Sequence, residues 1–170
     1  MQLCDKVFIV TGAGSGLGAA VARRFVEAGA RVILADVNGA AAEANAAALG
    51  DRARAIKADV TTETDGEAAV RQALESFGHL HGLINCAGVA PGEKNIGKNG
   101  AHRLDSFARA VAINLVGTFN MMRLAAQAIS KEEANEEGER GVIVKPPPSP
   151  PMTARSARRP TPPQRAASRA

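Results

Sequence analysis

The feature that most constrains this chain is a glycine-rich run, Thr11-Gly12-Ala13-Gly14-Ser15-Gly16-Leu17-Gly18, set between apolar stretches of different period. Before it, Val7-Phe8-Ile9-Val10 is a continuous apolar run, the mark of a buried strand. After it, Leu17, Val21, Ala22, Phe25 and Val26 recur at helical spacing as far as Ala28, and Gly29 supplies a stop. A strand that turns through glycines directly into a helix is the context a dinucleotide-binding turn requires. Gly12 permits the tight turn, Gly16 lets backbone approach a pyrophosphate, and Gly18 allows the helix to pack closely on the strand. The helix N-terminus then offers free N–H groups and the positive end of its dipole to phosphate oxygens. The alternative, an ordinary glycine-rich connection, is disfavoured by that context.

The pattern repeats. Arg31-Val32-Ile33-Leu34-Ala35 reads as a second strand, followed by an alanine-rich helix to about Leu49. A third strand is expected near Ala53–Ala58, a helix from about Glu63 to Phe77, and a fourth strand at His81–Asn85. The segment from Arg103 to Ser130 has helical period throughout, and Gly141-Val142-Ile143-Val144 begins a fifth strand. Alternating strands and helices with short connections predict an α/β fold, a doubly wound parallel sheet over residues 1–144.

After Val144 the composition changes. Eight of the nine prolines fall in residues 146–163, and residues 145–170 hold six basic side chains and no acid. Residues 1–144 carry 15 basic and 17 acidic side chains, so the overall net charge of +4 belongs to the tail. A basic nucleic-acid-binding domain is therefore not expected. Proline removes backbone donors, and this stretch has too little apolar surface to fold, so a disordered Pro/Arg-rich tail is predicted for 145–170. Cys4 and Cys86 form neither a disulfide framework nor a metal-ligand spacing, so no metal is expected. Asp5 and Lys6 interrupt what would be a signal peptide's apolar block, and no apolar run approaches the roughly 20 residues of a membrane span. A cytoplasmic, reducing setting without membrane contact is the expectation.

Asp36 follows the second strand, 24 residues after Gly12. An acid there accepts hydrogen bonds from adenosine ribose hydroxyls and repels a 2′-phosphate, favouring NAD over NADP. A plain helix N-cap is its other reading. Together with Asp59-Val60, Asn85-Cys86-Ala87-Gly88 and Asn114, the turn resembles the short-chain dehydrogenase/reductase family. The loop from Gly92 to His102, the run Ile113–Asn120 and Glu139–Val144 resemble its type II 3-hydroxyacyl-CoA dehydrogenase subgroup.

The resemblance covers residues 1–144 and implies a Rossmann fold with sheet order 3-2-1-4-5-6-7, incomplete after the fifth strand. It places Gly12, Ser15, Gly16, Leu17 and Gly18 at the pyrophosphate, Asp36 at the ribose and Asp59-Val60 at the adenine. Asn85, Cys86, Ala87 and Gly88 pass the middle of the cofactor; a small buried hydrophobe at Cys86 is equally compatible. Asn114 corresponds to the residue that anchors a water in the family's proton relay, or else satisfies local backbone. The implied substrate is a 3-hydroxyacyl-CoA or hydroxysteroid, and the implied assembly a homo-oligomer.

One part of the family pattern is missing. Hydride transfer there uses a Tyr that exchanges the substrate hydroxyl proton, a Lys that lowers its pKa and a Ser that orients the oxygen. This chain has no Tyr, and family spacing puts Pro148, Thr161 and Arg165 where Ser, Tyr and Lys belong. Arg does not replace a point-charge Lys, and Thr is far less acidic than a phenol. Residues 145–166 correspond to the subgroup's catalytic segment read one nucleotide out of frame in GC-rich codons, so a frameshift is expected.

Three functions follow: a dehydrogenase fragment that is inactive as it stands, a non-catalytic NAD-binding pseudoenzyme, or a tail that binds nucleic acid or SH3-like domains. The first is favoured. The fifth strand's apolar edge and the long helix's unpartnered face also predict poor solubility.

Overall fold

The computed structural model describes residues 2–97 and 100–145; of the expected disordered tail, residues 146–170 lie outside the described residues. Strands β1 (Val7–Thr11), β2 (Arg31–Asp36), β3 (Ala53–Lys57) and β4 (Gly82–Asn85) alternate with helices α1 (Gly16–Glu27), α2 (Gly39–Leu49) and α3 (Glu63–Phe77). A short antiparallel pair, β5 (Ile96–Gly97) and β6 (Gly100–Ala101), precedes helix α4 (Leu104–Val111), helix α5 (Thr118–Ile129) and β7 (Val142–Val144). The main sheet is wholly parallel, in the order β3-β2-β1-β4-β7. The chain's order reverses between β1 and β4, and at such a switch point open α/β sheets bind ligands beyond the strands' carboxyl ends.

Strand alternation divides the core in two. Val10, Val32, Leu34 and Ile84 pack with Ala22 of α1 and Ala42 and Ala46 of α2. Val7, Ile9, Ile33, Ala35 and Leu83 point the other way, onto Ala69 and Ala73 of α3 and Met121, Ala125 and Ile129 of α5. The central strands are apolar on both sides, as a sheet covered on both faces must be. Alanines on α2 and α3 let helix backbones lie close to the sheet.

The structure departs from the expected single helix over 103–130. Between α4 and α5, residues Ala112–Gly117 form a π-helical segment. It lies where the helix meets the loop after β3. A Cβ at Gly117 would lie 2.5 Å from Val60 Cγ2, so the helix is drawn against the loop after β3. The Thr118 Oγ1 hydroxyl donates to the Asn114 carbonyl at 2.8 Å, one turn back within the same stretch. The expected Gly92–His102 loop contains the β5–β6 pair, too short to be legible by period. At the sheet edge, Val142 and Val144 of β7 are 37% and 41% exposed, the apolar edge anticipated from the sequence.

Candidate cofactor site

The carboxyl ends of β1, β2 and β4 and the N-terminus of α1 enclose a cleft of about 520 Å³, within the size range of small-molecule sites. Its floor is the turn after β1. Gly12 has φ +66°, and a Cβ there would stand 2.8–2.9 Å from the Ala87 backbone. A Cβ at Gly18 would stand 2.2 Å from the Gly12 carbonyl oxygen. Both positions exclude any side chain, and the turn therefore nests against the strand end. Gly16, at φ +53°, faces open space. Ser15 is the extended N-cap residue of α1 with no side-chain cap, and Ser15, Gly16 and Leu17 present exposed atoms to the cleft.

Three side chains tie the turn down. The Ala87 N–H donates to Thr11 Oγ1 at 3.0 Å. Asp36 Oδ2 accepts the Gly14 N–H at 2.8 Å, and its Oδ1 accepts the Asn38 N–H at 2.8 Å. The N-cap of α2 is Asn38, whose Oδ1 accepts from Ala41 N, so Asp36 holds the turn and the cap reading belongs to its neighbour. Asn45, not singled out from sequence, donates from Nδ2 to the carbonyls of Ala13 and Gly14 at 2.9 and 3.0 Å.

The second wall is the loop after β3. Asp59 Oδ1 accepts from the Thr61 hydroxyl at 2.7 Å and the Thr61 N–H at 2.9 Å. These bonds hold its carboxyl below the usual range, with a further contribution from the charge of Arg109. Val60 is buried, and Asn120 Nδ2 donates to the carbonyls of Val60 and Thr62. Arg123 donates to Asn120 Oδ1 and pairs with Glu63, fixing that amide. Asn120 and Arg123 were not found from sequence; their spacing of three on one helix face is also that of an ordinary amphipathic helix.

The third wall is Cys86-Ala87-Gly88-Val89. Cys86 is half-buried, packs against the core and lines the cleft, and burial pushes its thiol pKa up, leaving a neutral thiol. Asn85 is buried just behind; its Nδ2 is the one buried side-chain N or O without a protein partner among the described residues. Asn114 makes a two-bond clasp on Val89: Oδ1 accepts the N–H and Nδ2 donates to the carbonyl, both at 2.8 Å. Its side chain thus satisfies backbone of the loop after β4, 25 residues away, and not that of its own helix. Arg109, Ala112 and Ile113 close the cleft from the helix side.

A larger groove, about 930 Å³, lies at the opposite ends of the strands beside Lys6 and His81. There the ligand atoms of His79, His81 and Glu132 lie within 4.8 Å of one another. His81 Nδ1 accepts the Val7 N–H at 3.1 Å, so its other ring nitrogen carries the proton and offers no lone pair to a metal. Metal-ligating histidines have the reverse arrangement, donating from the second nitrogen. The cluster is a hydrogen-bonded surface network.

The strand–turn–helix cleft with an acid after β2 is matched by a family-wide pattern: residues 6–145 fit the short chain dehydrogenase model. The chain belongs to the short-chain dehydrogenase family. It is 47% identical over 142 residues to the 3-hydroxyacyl-CoA dehydrogenase type-2 of Drosophila melanogaster, covering 82% of this chain and 56% of that one. With the human protein of the same name, identity is 41% over 140 residues, covering 81% and 54%. The 3-hydroxyacyl-CoA dehydrogenase type-2 of Mycobacterium avium superimposes with a TM-score of 0.77 at 30% identity, covering 85% of this chain and 58% of that one. A 3-ketoacyl-(acyl-carrier-protein) reductase from Brucella melitensis, complexed with NADH, gives 0.73 at 35%, covering 84% and 57%. This short-chain dehydrogenase chain spans about half the length of the curated relatives it matches.

Proposed function

We propose that this chain holds NAD in the cleft after β1 and is the cofactor-binding part of a dehydrogenase acting on 3-hydroxyacyl-CoA or hydroxysteroid alcohols. The observation that carries the reading is Asp36, anchored through Gly14 and Asn38 at the rim of a turn where side chains at Gly12 and Gly18 cannot fit. A carboxylate so held suits a ribose diol and opposes a 2′-phosphate. Ser15, Gly16 and Leu17 with the α1 N-terminus would face the pyrophosphate. Asp59 and Val60 would face the adenine, and Asn85, Cys86, Ala87 and Gly88 the central portion. Bound NAD supplies a two-electron hydride acceptor for alcohol oxidation. Asn114 would hold the Val89 loop beside it and, in a full-length relative, support the proton relay. The relatives named for 3-hydroxyacyl-CoA dehydrogenation support the substrate class.

We further propose that the chain as it stands does not turn over. No Tyr is present to exchange the substrate's proton, and Pro148, Thr161 and Arg165 cannot replace the Ser, Tyr and Lys expected there. Residues 145–170 are read as an out-of-frame tail; resequencing the gene and restoring one nucleotide tests this directly. An assay with NAD and a 3-hydroxyacyl-CoA is expected to show no turnover by this chain and turnover by the restored one. The second reading, a non-catalytic NAD-binding module, is favoured by a complete cleft in a Tyr-free chain; cofactor binding without a restorable reading frame would select it. Two free cysteines suit a reducing compartment, which we take to be cytoplasmic. No helix among the described residues is long and apolar enough to cross a membrane. We assign self-association to the helix face bearing Phe107, Leu115 and Phe119, all more than half exposed.

A further inference from the structure

Arg109 has no part in the reading above. It is the only basic side chain lining the cleft among the described residues, in a lining that also holds the carboxylates Asp36 and Asp59. It stands three and four residues before Ala112 and Ile113, so one helix face carries all three into the cleft. It shares the lining of the cleft with Asp59 and Val60, and its positive charge helps to keep the Asp59 carboxyl low. The backbone that carries Arg109 is anchored. Gly117 is packed against Val60, and Asn114 clasps Val89, so the helix is fixed at two points just beyond Arg109. The guanidinium is exposed and has no hydrogen bond or ion pair among the described residues. A solvated cation held on the rim of a ligand cleft, between an acid and an apolar helix face, is ready to cover a flat aromatic ring.

We infer that Arg109 is the adenine-clamping residue of this cleft: its guanidinium covers the outer face of the base by a cation–π contact, while Asp59 and Val60 hold the edge and inner side. The inference rests on the cofactor reading above and assigns Arg109 to binding affinity at the adenosine end. Asp36, at the ribose end, governs the choice between NAD and NADP. The two residues therefore separate by ligand.

The test is calorimetric titration of the full chain and its R109A and R109K variants with ADP-ribose, NADH and NADPH, alongside thermal melts. R109A is expected to raise Kd for ADP-ribose and NADH by one common factor of about fivefold, within the range of an exposed to partly desolvated cation–π contact. R109K, which keeps the charge but not the planar group, restores only part of the loss. Melting temperatures should not move, because Arg109 packs against nothing in the core. An R109A chain that binds ADP-ribose as tightly as the unaltered chain overturns the assignment while leaving the cofactor reading intact. Loss confined to NADPH overturns it too, making Arg109 a phosphate contact. Failure of the unaltered chain to bind either NADH or ADP-ribose overturns the cofactor reading and this inference with it.

Discussion

The Asp36 carboxylate and the Gly14 amide are joined by a 2.8 Å hydrogen bond that links the end of β2 to the turn after β1. The contact leaves no room between them: a Cβ on Gly14 would stand 2.8 Å from Asp36 Cγ. One side chain thus shapes the floor of the cleft and, in the proposed function, reads the ribose. Substituting Asp36 by Asn turns one acceptor oxygen into a donor facing N–H groups. NADH affinity should fall about tenfold, the worth of a charged hydrogen bond, and NADPH should lose less than NADH or gain. Parallel titrations of the two nucleotides check this; equal losses for both would count against a ribose role.

Gly18→Ala addresses the turn itself. The added methyl would meet the Gly12 carbonyl oxygen at 2.2 Å, and backbone rather than a mobile side chain must move. Overpacking of this kind costs roughly 1–3 kcal/mol. Urea denaturation should show that loss together with weakened nucleotide binding, whereas Gly16→Ala, facing open space but at φ +53°, should lose less stability.

Asn114→Ala removes both bonds to the Val89 backbone. The loop is partly solvated, so water replaces part of the loss and a cost of about 1 kcal/mol is expected. Asn114→Asp keeps the acceptor for the Val89 N–H but sets a carboxylate oxygen against its carbonyl, and should be no better than Ala. Hydrogen exchange at Val89 reads this locally: the amide should exchange faster in Ala than in Asp, and equal protection in all three chains would show that the clasp does not hold the loop.

Acid should weaken the fold in two stages. Burial, and then the charge of Lys6, push the His81 pKa below 6.5; His79 acts in the same direction and Glu132 opposes. The folded state therefore prefers the neutral ring that accepts the Val7 N–H, and the unfolded chain binds the proton more readily. This contribution is present above pH 6.5 and is lost as pH falls below it. Glu132 follows. Burial raises its pKa, but the Leu80 N–H and His79 outweigh that and leave it below 4.5, so its contribution disappears only as pH falls through and below 4.5. Melting temperature measured from pH 8 to 4 should decline first below 6.5, and His81→Gln should flatten that first step. A melting temperature that rises between pH 6.5 and 5 would contradict the assignment.

Solubility tests the exposed helix face. Leu115 and Phe119 are 61% and 64% exposed and lie one turn apart, and Phe107, two turns before Leu115, is exposed as well. Phe119→Glu should reduce self-association in analytical ultracentrifugation without lowering the denaturation midpoint, because the side chain leaves water only in an assembly.

Much of this architecture is legible in the sequence because single-period signals specify it. Val7–Val10 and Val32–Ala35 are buried on both faces, and the glycines at 12, 16 and 18 admit one kind of turn. The register of the helix over 103–130 is different. Its π segment lies where Gly117 meets Val60 and Asn114 reaches Val89, contacts between residues 57 and 25 positions apart. Local period carries no record of either. Asn45 and Asn120 were hidden for the same reason: an amide on a helix is ordinary until the loop carbonyls it holds are in place. Arg109 occupies a spacing that also fits a solvated helix face.

The central proposal is that the cleft after β1 binds NAD. Fluorescence titration of NADH into the full chain tests it most directly, with Asp36→Ala as the comparison. NADH should bind saturably with one equivalent per chain, weakened about tenfold or more by the substitution. An absence of NADH binding by folded protein, or binding that Asp36→Ala leaves unchanged, would contradict it.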